Sequence, residues 1–186
     1  MSRLPSLSPE DLTDDQRRVL DDIRAGPRGS STGISGPFAG WLASPELADR
    51  AQHLGELIRF GTSVPARLKE LGILYVARAW TAQFEWYAHK KFAIEGGLSL
   101  DVIDAIQVRE RPDFVNDDEE AVYDFCVELH ETHRVSDACF EAVKQHLGAA
   151  GASELVGILG YYTLVSMTLN VFEVPLPEGE PLPLSE

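Results

Sequence analysis

Residues 70–89, ELGILYVARAWTAQFEWYAH, begin as an apolar helix and continue as a polar stretch inside an aromatic frame. A continuous helix over this stretch would place four side chains on one face, because their spacings are four, three and four residues. These four are Arg78, Ala82, Glu85 and His89. The pattern predicts that Glu85 and His89 share a proton while the neighbouring aromatic rings exclude water.

Two other interpretations of this stretch stay open. Glu85 and His89 match an ordinary surface pair, which would contribute only about 0.2–0.5 kcal/mol to helix stability. The apolar and aromatic surroundings favour a buried site over that pair, since a solvated helix face rarely carries them. A break of the helix near Trp80 would remove Arg78 from the shared face and let Glu70 fold back beside His89.

The length and the charge of the chain limit the number of domains and the kinds of partner that it can have. The 186 residues suit one domain with a sizeable core, which we place at residues 1–186. The net charge is −14, from 30 acidic and 16 basic residues, and this disfavours a nucleic acid or an anionic membrane as a partner. A local pocket on such a protein can still be cationic, so a small-molecule substrate fits the composition.

The cysteines and the N-terminus predict a reduced, cytoplasmic protein. Cys126 and Cys139 have neither the spacing of a C-x-x-C motif nor that of a metal site, which predicts buried, reduced thiols. The first residues, MSRLPSLSPEDLTDD, lack the charged and then apolar pattern of a secretion signal.

Cap and turn signals predict an all-α, single-domain helical bundle of about seven helices, without strand alternation. An N-terminal helix is expected over residues 9–25, because Ser8-Pro9-Glu10 combines a cap, a proline at the first helical position and an acid in the first turn. Residues 26–37 are rich in Gly, Ser and Pro and are expected either to connect two helices or to lie over a pocket. The proline-rich tail, residues 174–186, is expected to be extended.

One long stretch, residues 155–172, contains no charged residue and reaches the length of a membrane-spanning helix. It also contains Gly, Ser, Thr and Asn residues, and it has no basic flank. We therefore predict a helix that is buried in a core or between subunits rather than in a membrane.

Further side chains are candidates for binding a substrate carboxylate. His53 and Arg59 lie near one face of a helix expected over residues 44–61, and Arg78 lies in the next helix. Arginine suits this role because it binds a carboxylate through two parallel hydrogen bonds. Trp86, among the aromatic residues of the central stretch, completes the predicted substrate-binding set.

No metal site and no nucleophilic serine are predicted. His130 and His133 are three residues apart, whereas two metal-binding histidines on one helix face are four apart in the motif that this segment approaches. The chain has no G-x-S-x-G motif, and its serines lie mostly at helix caps and in loops.

Several segments resemble the carboxymuconolactone decarboxylase family, which has the alkyl hydroperoxide reductase D-like (AhpD-like) all-helical fold. The central match consists of Glu70, ILYVARAW at 73–80, FEWYAH at 84–89 and the Gly-Gly pair at 96–97. Supporting segments are GPFAGWLASPELADR at 36–50, LGELIRF at 54–60 and LNVFEVPLPEG at 169–179. The resemblance covers residues 35–179 and places the core of the domain at residues 35–175.

The resemblance also implies which chemistry is absent. Redox members of the family carry a Cys-x-x-Cys pair that ends four residues before a His, with a Glu twelve residues before the first Cys. Glu70 and His89 match the Glu and the His, whereas Ala82 and Glu85 occupy the cysteine positions. The resemblance therefore implies no thiol peroxidase activity and leaves an acid–base site.

For activity, the resemblance implies a cofactor-free lyase that acts on a small lactone or keto acid in the catabolism of aromatic compounds. His89 is then the proton donor, Glu85 its partner or the base, and Glu70 the orienting residue. A homotrimer or homohexamer is implied. The alternative is a non-catalytic small-molecule-binding or assembly protein, in which the three residues form a buried network that fixes helix ends. An open pocket of roughly a few hundred Å³ touching His89 would favour catalysis, and a closed, dry network would favour the alternative.

Overall fold

The computed structural model describes residues 2–4, 7–30 and 32–186. Over these residues the chain is helical and contains no strand, which confirms the predicted all-α class. A π-helical turn, Leu57–Gly61, extends the third helix. The eight α-helices in this part of the chain are α1 (Asp14–Ala25), α2 (Pro37–Trp41), α3 (Pro45–Glu56), α4 (Ala66–Ala79), α5 (Gln83–Glu95), α6 (Leu100–Gln107), α7 (Asp117–Thr132) and α8 (Asp137–Val171).

Helix α4 is central to the bundle, because it packs against α5, α6, α7 and α8 and buries most of its side chains. It ends at Ala79, where Thr81 adopts a φ of 48° and the Ala82 amide donates to the Ala77 carbonyl. The chain reverses there, and α5 returns along α4. The structure thus corrects the continuous helix over residues 70–89 and confirms the alternative of a break near Trp80.

The first helix begins later than predicted. Thr13, rather than Ser8, is its cap: the Thr13 side chain accepts from the Gln16 amide, and the Gln16 side chain accepts from the Thr13 amide. This reciprocal cap satisfies two amides that the first turn leaves unpaired. Upstream, the Asp11 amide donates to the Ser8 carbonyl in a separate turn.

Helix α8 contains the long uncharged stretch. Gly148, with φ of 69° and ψ of 177°, interrupts it, so two helical segments meet at a kink. The helix is long and apolar enough to cross a membrane, yet 56% of its most apolar window is buried inside the protein. Leu155, Ile158 and Leu159 are among its core side chains. The helix is therefore a core element of this domain, and the absence of a membrane partner stays a prediction.

We propose that the exposed side of α8 forms a subunit interface in a homotrimer or homohexamer. Val156, Met167 and Val171 are exposed there, and Gly160 has open space beside it. Met167→Glu would place a charge in this uncharged surface and is expected to dissociate the oligomer, as measured by light scattering at micromolar concentration. Leu182→Glu, in the exposed tail, is the matched control. A wild-type mass near 20.5 kDa would contradict the proposal.

The proline-rich tail is not helical, as predicted, and its end packs on the chain itself. The Leu184 side chain is buried. Three successive tail carbonyls, from Pro183 to Ser185, accept side-chain hydrogen bonds of 2.7–2.9 Å. The donors are Gln107, Gln83 and Arg78, so the tail joins the ends of α4, α5 and α6.

Candidate functional site

A cavity of about 170 Å³ lies between the loop at residues 26–37, the π-helical turn, α5 and α8. Arg28 of the loop and Arg59 of the turn line it, together with Glu85 and His89 of α5 and Tyr162 of α8. The loop combines the two roles considered for it, because it joins α1 to α2 and its Arg28, Thr32 and Ser35 line the cavity.

His89 forms a buried pair with Glu70 at the wall of this cavity. Its Nδ1 lies 2.7 Å from Glu70 Oε2, so Nδ1–H donates to the carboxylate and Nε2 is the ring nitrogen left for a ligand. The ring is held edge-on against Tyr162 and Phe92, with centroid distances of 4.9 and 5.8 Å. The return of α5 along α4 creates this pair, as the alternative with the helix break predicted.

Glu85 is almost fully buried, with 1% of its surface exposed. Its Oε2 accepts a hydrogen bond of 3.0 Å from Ser166 Oγ, and its Oε1 has no partner among the described residues. Burial raises the pKa of Glu85 well above its ordinary value, and this effect exceeds the lowering by the Ser166 hydrogen bond. The setting therefore favours a neutral carboxylic acid with a proton to donate.

The structure replaces the predicted Glu85–His89 pair with two separate pairs. The Glu70 carboxylate accepts the hydrogen bond from His89 Nδ1, and the Ser166 hydroxyl donates a hydrogen bond to one oxygen of Glu85. The spacing of four residues correctly brings both side chains to one cavity, because both lie on α5. Proton exchange between Glu85 and His89 would therefore pass through a bound molecule.

Two arginines give the cavity a positive charge. Neither Arg28 nor Arg59 forms an ion pair within residues 2–4, 7–30 and 32–186. Arg28 lies over the Phe38 ring at 5.4 Å and Arg59 over the Phe92 ring at 5.0 Å. Burial lowers the pKa of Arg28, and the charge of Arg59 lowers it further. Arginine stays charged in proteins despite such shifts, so the pair suits an anion.

Sequence reasoning missed Arg28, because a loop position has no helical spacing to reveal it. The available signal was that Arg28 is the one charged residue within residues 26–37. The structure buries its Nε without a partner in the part of the chain it describes. Gly55 leaves the space that this arrangement needs, since an added Cβ would lie 2.0 Å from the Tyr161 hydroxyl and 2.7 Å from an Arg28 nitrogen.

Three predicted substrate-binding residues lie outside the His89 cavity. His53 is exposed on α3, with Nδ1 2.8 Å from the Asp49 carbonyl. Trp86 is fully buried in the core, and Arg78 lines a different cavity, where it donates to the Ser185 carbonyl. The break after α4 separates Arg78 from the residues with which a continuous helix would have aligned it.

The thiols lie away from the cavity. Cys126 of α7 and Cys139 of α8 are free and buried, as predicted. Burial raises the pKa of both thiols, that of Cys139 to about 11. Both groups are therefore poor nucleophiles near neutral pH, since the thiolate is the reactive form. In the described part of the chain, no three His, Cys, Asp or Glu side chains are grouped to hold a metal ion.

Comparison with known proteins identifies a fold. No protein-family model and no curated protein matches the chain. A solved structure described as an alkylhydroperoxidase AhpD core, an uncharacterised peroxidase-related protein from Ralstonia eutropha, superposes with a TM-score of 0.76. It is 17% identical and covers 95% of this chain and 93% of its own. The chain has the AhpD-like fold.

A second AhpD-like structure agrees. It is a protein of unknown function from Agrobacterium tumefaciens, with a suggested AhpD role in antioxidant defence, and it has a TM-score of 0.64. It is 21% identical and covers 74% of this chain and 94% of its own. Both likenesses support the AhpD-like fold and not the specific decarboxylase family. By the resemblance given above, Glu85 stands where AhpD-like redox proteins carry their second cysteine.

Purified protein is expected to show no dithiol-dependent peroxidase turnover above background, because both cysteines have raised pKa values and lie outside the cavity. Reduction of an alkyl hydroperoxide with a dithiol donor measures this. Turnover that disappears in Cys126→Ser or Cys139→Ser would contradict the structural role of these thiols.

Proposed function

We propose that this chain is a cofactor-free acid–base carboxy-lyase of the carboxymuconolactone decarboxylase type, acting on a small lactone or keto acid. The supporting observation is the placement of three features around one cavity. These are the Glu70–His89 pair, the buried acid Glu85, and two arginines without ion pairs in the described residues. Together they provide an anion site, a proton donor to oxygen and a proton donor to carbon.

The arginines suggest which part of the substrate they hold. A guanidinium on the departing carboxylate would stabilise the ground state more than the transition state, because that group loses its charge as CO₂ forms. Arg28 and Arg59 therefore suit a second carboxylate that is retained in the product. The expected substrate is a small dicarboxylate whose departing carboxylate is β to a carbonyl.

The proposed reaction uses two proton donors, Glu85 and His89. As the bond to the departing carboxylate breaks, CO₂ leaves, its former bonding pair forms the enol double bond, and the carbonyl oxygen takes the proton of Glu85. His89 Nε2–H then protonates the carbon, and the enol proton returns to Glu85. Solvent reprotonates His89. Glu70 accepts from Nδ1–H throughout and so holds the ring in place.

The neutral form of Glu85 removes an electrostatic objection to this substrate. Two ionised glutamates beside a small cavity would repel a dianion. Burial raises the pKa of Glu85, and Glu70 is hydrogen-bonded to His89 rather than lining the cavity. The groups that face the substrate are therefore an uncharged acid, a histidine and two cations.

The alternative function, a non-catalytic binding protein, would use the same cavity and arginines without proton transfer. Two features favour catalysis. The cavity touches His89 directly, although its volume of about 170 Å³ is smaller than the roughly few hundred Å³ expected of a catalytic pocket, and Glu85 Oε1 has no partner among the described residues. A purely structural network is expected to pair such a buried oxygen, because an unpaired polar atom costs about 1–3 kcal/mol.

Release of CO₂ from a panel of small 3-oxo dicarboxylates and lactone acids tests the proposal. Wild type and His53→Ala, whose histidine lies outside the cavity, are expected to exceed the uncatalysed rate on at least one compound. Glu70→Gln is expected to lose most of that rate, because it no longer offers a carboxylate to His89. Binding of panel members without any CO₂ release would support the non-catalytic protein instead.

A further inference from the structure

A second cavity, of about 360 Å³, lies among α4, α6 and α7 and shares no lining residue with the His89 cavity. Aromatic and aliphatic side chains form much of its wall, and charged side chains form the rest. The first group is Tyr75, Ala79, Ile106, Tyr123 and Val127, and the second is Arg78, Arg109, Arg111 and Glu131. The cavity thus combines an apolar interior with an excess of positive charge.

Arg78 and Arg109 share one neutral acceptor. Each donates to Thr81 Oγ1 at 3.1 Å, and Arg78 also donates to the Ser185 carbonyl. Neither forms an ion pair in the described residues, although the chain carries 30 acidic side chains. Arg78 is 4% exposed, and its buried Nε has no partner among those residues. A buried charge without a counter-ion is costly, so an anion at this position would be stabilising.

Neither of the other two charged residues of the cavity neutralises Arg78 or Arg109. Arg111 is already paired with Asp124 and Glu120, and it lies over the Tyr123 ring. Glu131 forms no ion pair with the arginines in the described chain, and its charge disfavours a ligand with several negative charges.

Arg109 also has a strained backbone conformation. Arg109 follows α6 with a φ of 65°, in the left-handed region that glycine occupies most readily after a helix. A long cationic side chain at this position, directed to the same hydroxyl as Arg78, brings the two guanidinium groups to one place.

We propose that this second cavity binds a small organic monocarboxylate with an aromatic or aliphatic body. The carboxylate would lie between Arg78 and Arg109, and the body would pack against Tyr75, Tyr123 and Val127. The two tyrosine rings meet edge to face, with centroids 5.6 Å apart. Burial raises the pKa of both hydroxyls, which keeps them as hydrogen-bond donors.

Benzoate is the probe, titrated into ¹⁵N-labelled protein while amide shifts are followed by NMR. The largest shifts are expected near residues 75 and 109, and benzyl alcohol is expected to bind much more weakly because it carries no charge. Arg109→Gly suits the local backbone and removes the guanidinium, so it is expected to keep the fold and to weaken benzoate binding by about tenfold or more. Arg134→Gln removes an exposed arginine outside both cavities and is the control.

The variants separate this site from the His89 cavity. Arg59→Gln should leave the shifts near residues 75 and 109 unchanged, because Arg59 lines only the other cavity. Shifts confined to the surroundings of His89, equal weakening by Arg134→Gln, or unchanged binding in a folded Arg109→Gly variant would each overturn the proposal. Arg78→Gln is less decisive, since Arg78 also holds the tail.

Discussion

Glu85→Gln is expected to lower the rate of CO₂ release by about 10²–10⁴-fold, the usual contribution of a general acid or base. Glutamine keeps the shape of the neutral acid and can still accept from Ser166, but it cannot transfer a proton to the substrate oxygen. The rate is measured per folded molecule on the best compound of the panel. Glu95→Gln, on the exposed side of the same helix, is the control and should keep the wild-type rate.

The same substitution is expected to change the pH dependence of stability. Because burial raises the pKa of Glu85, the folded state binds a proton that the unfolded state releases above the ordinary pKa. The stability associated with this proton is complete below the unfolded pKa and is lost as pH rises toward the folded pKa, by about 1.4 kcal/mol per pH unit.

Thermal or urea unfolding of wild type and Glu85→Gln across this range measures the effect. The two proteins should be similar in acid, and the variant should become progressively more stable than wild type as pH rises. A constant difference between them would show that Glu85 is ionised in the folded protein and would remove the proposed acid.

Arg59→Gln and Arg28→Gln are each expected to weaken binding of the dicarboxylate substrate by about 10–100-fold, since a hydrogen bond to a charged group contributes about 1.5–3 kcal/mol. The effect should appear mainly in KM, because the arginines hold a carboxylate that does not react. Removing one charge leaves the other to bind the anion alone.

Arg50→Gln, on the exposed part of α3, is the control for the change in net charge. Arg59→Lys should recover part of the affinity, because lysine keeps the charge and loses the two-pronged geometry. Equal effects of Arg50→Gln and Arg59→Gln would contradict a specific anion site and indicate a general electrostatic effect.

The sequence predicted the local elements of this site and one of its long-range contacts. The four-residue spacing of Glu85 and His89 places both on one side of α5, and Glu70 reaches His89 because the chain reverses at Thr81. The sequence alone did not decide whether the chain reverses there, since Trp80 and Thr81 are compatible with a helix as well as with its end. The hydrogen bond between Glu70 and His89 depends on which of these states the tertiary packing selects.

The remaining contacts lie beyond what spacing can show. Ser166 is 81 positions from Glu85, and its hydroxyl is indistinguishable in sequence from any other in α8. Arg28 reaches the cavity from a loop, whose path depends on the packing of the helices below it. His53 and Arg78 have the expected helical positions, but their faces of α3 and α4 point away from the cavity.

His89→Ala tests the central claim most directly, because a catalytic role and a purely structural role of His89 predict opposite results. The melting temperature and the rate of CO₂ release per folded molecule are measured together on wild type and variant. If His89 donates the proton to carbon, the rate should fall by about 10²-fold or more while most of the variant remains folded. A sharp fall in melting temperature with an unchanged rate per folded molecule would contradict the account and show that Glu70 and His89 only hold α4 and α5 together.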